Sequence, residues 1–270
     1  MYINVKKTIM VTIDIALAVY LFFAMTSFNT PDDGSRLCTK VCIVVSDKSG
    51  SGFLDEAEIK KILIKNKVYP QDSALSRVNT RVIEDVLLRS AFVSSAECYK
   101  TQDGHVYVTV SQQLPVIRVK SINGDDYYLD EFGGTMPNSK YTSDLIIASG
   151  HISLRYARGN LLYVAQVLMS SDLWRNQIEQ IYLRADEGIE LIPRVGDHVI
   201  YLGRLPEEKK GEDRRSVVTE FVNGKLRRME NFYKYGLSQA GWNAYSEISL
   251  DYDNQIVCKK RKKQHSTPNI

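Results

Sequence analysis

Catalysis near neutral pH draws mostly on histidine, cysteine and paired carboxylates, and this chain holds few arrangements of them. The histidines are His105, His151, His198 and His265. None lies in an HExxH helix, and no GxSxG elbow occurs. Cys98 as a nucleophile would need a partner base, and its neighbours in sequence supply none. Asp125-Asp126 and Asp186-Glu187 fall in turn-like sequence, where solvated carboxylates are ordinary. A catalytic site needs a constellation, and no constellation emerges. The sequence therefore predicts neither an enzyme nor a bound cofactor, metal or small-molecule substrate.

The cysteines are Cys38, Cys42, Cys98 and Cys258, with no CxxC pair and no zinc-ligand spacing. Cys38 and Cys42 sit in an extended apolar run, where four residues span roughly 13 Å. That separation rules out a bond between those two. A bridge from either to Cys98 stays open, and small buried hydrophobes are the plainer reading.

Hydrophobic residues make up 44% of the 270 and charged residues 25%, the mixture of a globular chain with real cores. The formal net charge is +3. Lys259, Lys260, Arg261, Lys262 and Lys263 carry 5 positive charges, leaving −2 (+3 less 5) for everything else. A nucleic-acid binder spreads basic residues over its folded surface to meet a row of phosphates. Confinement of the excess to a tail argues against nucleic acid.

Thr8 to Phe28 is almost wholly apolar over 21 residues. As a helix this run spans about 31 Å, close to the hydrocarbon thickness of a bilayer. Lys6 and Lys7 precede it, and Asp32 and Asp33 follow it. That asymmetry predicts a cytoplasmic amino end and an outward-facing remainder. A cleaved signal peptide has the same charge layout. The length of the run, and Phe22, Phe23 and Phe28 where small residues should mark cleavage, favour a retained anchor. Asp14 lies inside the span at a cost of a few kcal/mol. Either water reaches it from the cytoplasmic edge, or it contacts a polar group on a partner's membrane helix.

The elements that follow alternate in type. "RLCTKVCIVVSD" reads as a strand, and "KSGSG" as a connector without phosphate-loop spacing. Asp55, with Glu58 three residues on, predicts the cap of a first helix carrying Ile59, Ile62 and Leu63 on one face. Asn79 or Thr80 caps a second, with Val82, Ile83, Val86 and Leu87 as its stripe. Two β-rich runs then flank Asp103-Gly104, a hairpin signal. Further on, Asp130 to Gly134 forms a turn, "NLLYVAQVLMSSDLW" is helical, and residues 177–203 give three short strands. A long helix spans roughly Asp213 to Tyr235, with Val218, Val222, Leu226, Met229 and Tyr233 as a buried stripe and Gly236 as its stop.

The order strand-helix-helix-strand-strand over Leu37 to Val116 resembles the POTRA domain of envelope proteins. "FLDEAEI", "VIEDVLLRSAFVSSAEC" and the exit Gln113-Leu114-Pro115 carry the likeness. With "VGDHVIYLG" and "KLRRMENFYKYGLSQAGWNAYSEISLDYDNQIVCKK", the whole plan is similar to the FtsQ/DivIB family of cell-division proteins in its Bacteroides-type form. Two positions depart from it. Gln113 and Leu114 stand where a Glu and an Arg often precede the proline, and Asp251 takes a slot often held by Arg.

The resemblance implies an α+β fold: a single transmembrane helix, a POTRA domain (β-α-α-β-β), and a mixed β-rich domain with a long packing helix. The expected divisions are a cytoplasmic tail at 1–7, the anchor at 8–28 and a link at 29–36. The POTRA domain follows at 37–118, the FtsQ-type β-domain at 119–258 and a basic disordered tail at 259–270. It further implies a non-catalytic divisome scaffold in the bacterial inner membrane at the septum. Such a scaffold recruits the FtsB–FtsL pair and so links early division proteins to the septal peptidoglycan synthase. An envelope assembly or translocation factor is the alternative, since those also carry POTRA domains.

From the residues themselves, Ile248, Leu250 and Tyr252 alternate with Ser249, Asp251 and Asp253, and Ile256 and Cys258 resume the pattern after a turn at Asp253-Asn254. Such strands can merely close a sheet. With the resemblance, Ser249, Leu250, Asp251, Tyr252, Asp253, Asn254, Gln255 and Ile256 become the expected partner surface, read by strand addition.

Overall fold

A computed structural model describes residues 5–27, 36–46, 54–138 and 145–261. Helix α1 is Val5–Ser27. It overlaps the expected span Thr8 to Phe28, of which Phe28 lies outside the described residues. Side chains in α1 are described from Ile9 to Met25, and Phe22 and Phe23 are exposed. Among the described residues no helix is long and apolar enough to cross a membrane.

The chain divides into two compact units. In the first, β1 (Lys40–Ser46) is followed by α2 (Glu56–Lys65), α3 (Thr80–Leu88), β2 (Val93–Lys100) and β3 (His105–Gln112). The strands form a sheet in the order β1-β3-β2, with β1 parallel to β3. A parallel pair cannot be joined by a tight turn, so the two helices form its crossover. Asp55 caps α2, its Oδ1 accepting the Glu58 amide at 2.7 Å, and Asn79 caps α3 through the Val82 amide at 3.3 Å. Ile59, Leu63, Ile83 and Leu87 are buried, whereas Val82 is 41% exposed, so the stripe of α3 is narrower than its sequence predicts. All four cysteines are free, with Cys38 and Cys98 packed as small hydrophobes.

The second unit begins with β4 (Pro115–Ser121), β5 (Asp126–Asp130), β6 (Thr135–Pro137) and β7 (Ile146–Gly150). The expected boundary at residue 118 would cut β4, which pairs with β5 and β7 of this unit. Next come α4 (Leu154–Tyr156), a π turn at Ala157–Leu161, α5 (Leu162–Ser170) and α6 (Asp172–Gln177). Then follow β8 (Ile178–Leu183), β9 (Gly188–Pro193), β10 (Val199–Arg204), α7 (Arg214–Phe232), a second π turn at Tyr233–Leu237, and α8 (Ser238–Ala240). The last strands are β11 (Tyr245–Ser249) and β12 (Val257–Lys260).

Among the described residues nine strands make one sheet in the order β12-β11-β10-β9-β8-β7-β4-β5-β6. β7 and β8 run parallel around α5, as do β10 and β11 around α7, so each long helix is the crossover of its own pair. The core lies between these helices and the sheet. Val164, Ala165 and Leu168 of α5 meet Val218, Val222, Leu226 and Met229 of α7 over Ile181, Leu191, Ile200 and Ile248.

Gly236 does not stop the long helix. A stripe repeating every four residues drifts about 40° per step around an α-helix. The π turn at Tyr233–Leu237 takes the drift back, and both Tyr233 and Leu237 are buried. Gly236 fits because a Cβ there would lie 2.6 Å from the Phe232 ring. The helix ends at Gly241, at φ 91°.

Candidate functional site

Among the described residues, the histidines, Cys98 and the paired carboxylates singled out in the sequence stand apart from one another. His198 is buried and bonded through Nε2 to the Tyr233 hydroxyl at 3.0 Å. His105 faces Asp103 at 3.3 Å beside the hairpin turn, His151 is exposed, and His265 lies outside the described residues. Burial, with Glu84 nearby, pushes the Cys98 thiol up to about 12, the reverse of an activated nucleophile. Arg118 holds Asp126 by two hydrogen bonds of 2.9 and 2.8 Å, and Asp186 and Glu187 occupy a turn. Among the described residues no group of three His, Cys, Asp or Glu could hold a metal.

The sheet edge at the carboxyl end is a different matter. β11 lies parallel to β10, and β12 pairs antiparallel with β11 through Ser249↔Val257, Ile248↔Cys258 and Glu247↔Lys259. Among the described residues β12 is the terminal strand, so its outer backbone groups face no further strand. Lys259 and Lys260, expected in a disordered tail, belong to this strand, and the Arg261 amide donates to the Ala244 carbonyl at 3.1 Å.

Between the two strands the chain leaves the expected alternation. β11 ends at Ser249, and Tyr252 is not in a strand. Leu250 is fully buried, and its amide donates to the Tyr201 carbonyl of β10 at 2.8 Å. From there the carbonyls turn toward α7 instead of along the ladder. Lys225 Nζ donates to the carbonyls of Leu250 at 2.6 Å and Asp251 at 2.9 Å. Arg228 donates from Nη2 to Leu250 at 2.8 Å, and from Nη1 to Tyr252 at 2.7 Å and Gln255 at 3.4 Å. Two cations on successive turns of one helix thus hold four carbonyls of a seven-residue bend.

The bend is held from the sheet side as well. Gly203 of β10, at φ 90°, lies where the register slips between Tyr201 and Gly203, and a Cβ on it would sit 2.2 Å from Asp251 Oδ1. Asn254 takes the left-handed conformation at φ 59°, as Asn tolerates in a turn. The outcome is a fixed loop whose Asp251, Tyr252, Asp253, Asn254 and Gln255 are exposed, Tyr252 by 56%. Ile256 instead packs on the core beside Cys258. Of the expected surface, Ser249 ends a strand, Leu250 is core and Ile256 is half-buried, so five residues remain to face a partner.

Residues 114–259, more than half of the chain, match the family described as FtsQ/DivIB, C-terminal related. The chain belongs to the FtsQ/DivIB family. Residues 36–111 match the POTRA-like domain, which is the first unit. No curated protein matches the chain significantly. Domains of the FtsQ/DivIB and POTRA types are typically non-catalytic.

Lys225 and Arg228 went unnoticed in the sequence, although Lys225 carried a signal. It falls inside the buried stripe of α7, three residues after Val222 and four before Met229, where a solvated lysine does not belong. Its partners could not be found that way, because they are backbone atoms 25 and 26 residues further on.

Proposed function

We propose that this chain is a non-catalytic divisome scaffold that recruits FtsB and FtsL homologues, and through them the septal peptidoglycan synthase, to the division site. The observation that carries the proposal is the outer edge of β12 standing next to the fixed loop on which Tyr252 is exposed. A partner strand would gain backbone hydrogen bonds from β12 and side-chain register from the loop. In this reading the POTRA-like unit meets earlier-arriving division proteins. The apolar run Thr8 to Phe28, longer than its described part, is taken as the inner-membrane anchor on its sequence, with the amino end cytoplasmic and the two folded units periplasmic. The 21-residue apolar run and the order of Lys6 and Lys7 before Asp32 and Asp33 support that orientation.

Co-purification of the detergent-extracted full chain with co-expressed FtsB and FtsL homologues tests the proposal. Tyr252→Lys, and Val257→Asp on the exposed side of β12, are expected to release the pair while the protein stays folded. Retention of both partners by both variants would remove the docking assignment. Ile256→Lys is unsuitable, since a charge there would disrupt the core. Sequencing the mature amino terminus checks the anchor, and a start near Phe28 would replace it with a cleaved signal.

A further inference from the structure

We propose that Lys225 and Arg228 of α7 are positioning residues for partner docking: they hold the bend from Leu250 to Ile256 in the one shape that presents β12 for strand addition. The inference rests on the docking reading above and assigns its control to two residues outside the expected surface.

A lysine ammonium is strongly hydrated, and burying one is costly unless its protons find acceptors. Lys225 is 5% exposed, and its ammonium has two carbonyls and the face of the Phe221 ring, 4.9 Å from the centroid. A methionine or leucine would fill the same stripe without that cost, so the charge is not explained by core packing. What the ammonium supplies is donors aimed at the bend. Arg228 adds the directional part, a planar fork reaching three carbonyls from Leu250 to Gln255.

The bend is otherwise held mainly at its two ends, by the Leu250 amide on the Tyr201 carbonyl and by Ile256 against the core, and where Asp251 lies against Gly203. Between those ends, residues 251–255 are exposed and belong to no strand, so the cations on α7 supply most of what fixes their carbonyls. Strand addition needs an edge that stays extended and in register while it waits. β12 has four residues and ladder bonds on one side only, so it frays unless the chain entering it is fixed. Binding from a state populated only in part weakens the apparent affinity by that fraction. The clamp keeps the fraction near one.

The test uses the full chain in detergent, with immobilised FtsB–FtsL homologue complex as the probe, read together with hydrogen exchange of the free protein. Arg228→Gln is the main variant, because Arg228 is only half-buried and its loss leaves the α7 stripe intact. Lys225→Met is the second, and Arg227→Gln, one position away and exposed, is the control. In Arg228→Gln, amides of residues 250–260 are expected to exchange faster while those of β8 and β9 keep their rates. The affinity is expected to fall about tenfold or more, mainly through slower association. Arg228→Lys, which restores a charge but not the fork, is expected to recover part of it.

Faster exchange at 250–260 with affinity within about twofold of wild type overturns the inference, since the clamp would then be structural only. Unchanged exchange overturns it as well. If wild type binds and Tyr252→Lys does not, the docking reading stands whatever Arg228→Gln does. If wild type itself fails to bind the pair, the docking reading falls and takes the inference with it.

Discussion

Lys225 Nζ lies 2.6 Å from the carbonyl oxygen of Leu250, tying the middle of α7 to the residue that follows β11. The two residues are 25 apart in sequence, and the contact closes the βαβ unit formed by β10, α7 and β11. Burial, then the neighbouring Arg228, pulls the Lys225 pKa below its ordinary value, so the site tolerates a charge that it does not favour. Lys225→Ala removes the donors and the alkyl stem while leaving the carbonyls in place. It is expected to destabilise the second unit by about 1–3 kcal/mol. Urea unfolding monitored through tryptophan fluorescence measures this, and a cost below about 0.5 kcal/mol would show the contact to be dispensable for folding.

A second expectation concerns the sheet side of the same loop. Gly203 combines a positive φ with a carboxylate oxygen 2.2 Å from where a Cβ would stand. Gly203→Ala therefore meets a conformational cost of about 1–2 kcal/mol and a clash that only movement of Asp251 relieves. Lower stability in denaturant, together with faster amide exchange from Asp251 to Ile256, is the expected pair of results. A shift at Asp251 without lost stability would mean that the loop yields freely.

Architecture was legible in the sequence wherever periodicity and capping agreed. Asp55 and Asn79 cap the helices that their spacing announced, and the stripe from Val218 to Tyr233 is buried throughout. Local rules failed where the backbone answers to a distant group. Leu250 and Tyr252 keep the alternation of a strand, yet the strand stops at Ser249, because Lys225 and Arg228 take the carbonyls that would have continued it. Gly236 reads as a helix stop by composition, and the need to bury Leu237 overrides it. The candidate surface was legible as a segment and not as a shape, since exposure of Asp251 and burial of Ile256 depend on a helix more than twenty residues away.

The thiols give a third check. Cys98 is buried, its thiol pushed up to about 12, and burial raises Cys38 as well. Since the thiolate is the reactive form, both are expected to resist iodoacetamide at pH 8 in the folded protein and to react fully in urea. Mass spectrometry of alkylated peptides reads the outcome. Rapid native labelling of Cys98 would mean that the first unit opens far more readily than its packing implies.

His198 provides the pH dependence. Burial holds its pKa below the ordinary value of 6.5, opposed by the Trp242 backbone, while Arg261 pulls it down further and Asp197 pulls it up. Its ring packs against Tyr233, whose hydroxyl it meets, and Tyr233 packs in turn on Trp174 and Trp242. The unfolded chain therefore takes up a proton at a higher pH than the folded one. The stability that neutral His198 contributes is fully present above pH 6.5 and is lost as pH falls from there toward the folded pKa. The slope is at most about 1.4 kcal/mol per pH unit for one proton. Urea midpoints of the second unit between pH 7.5 and pH 5.0 are expected to decline, and to decline less in His198→Gln, whose side chain does not titrate. An equal decline in the variant would move the pH dependence to other groups.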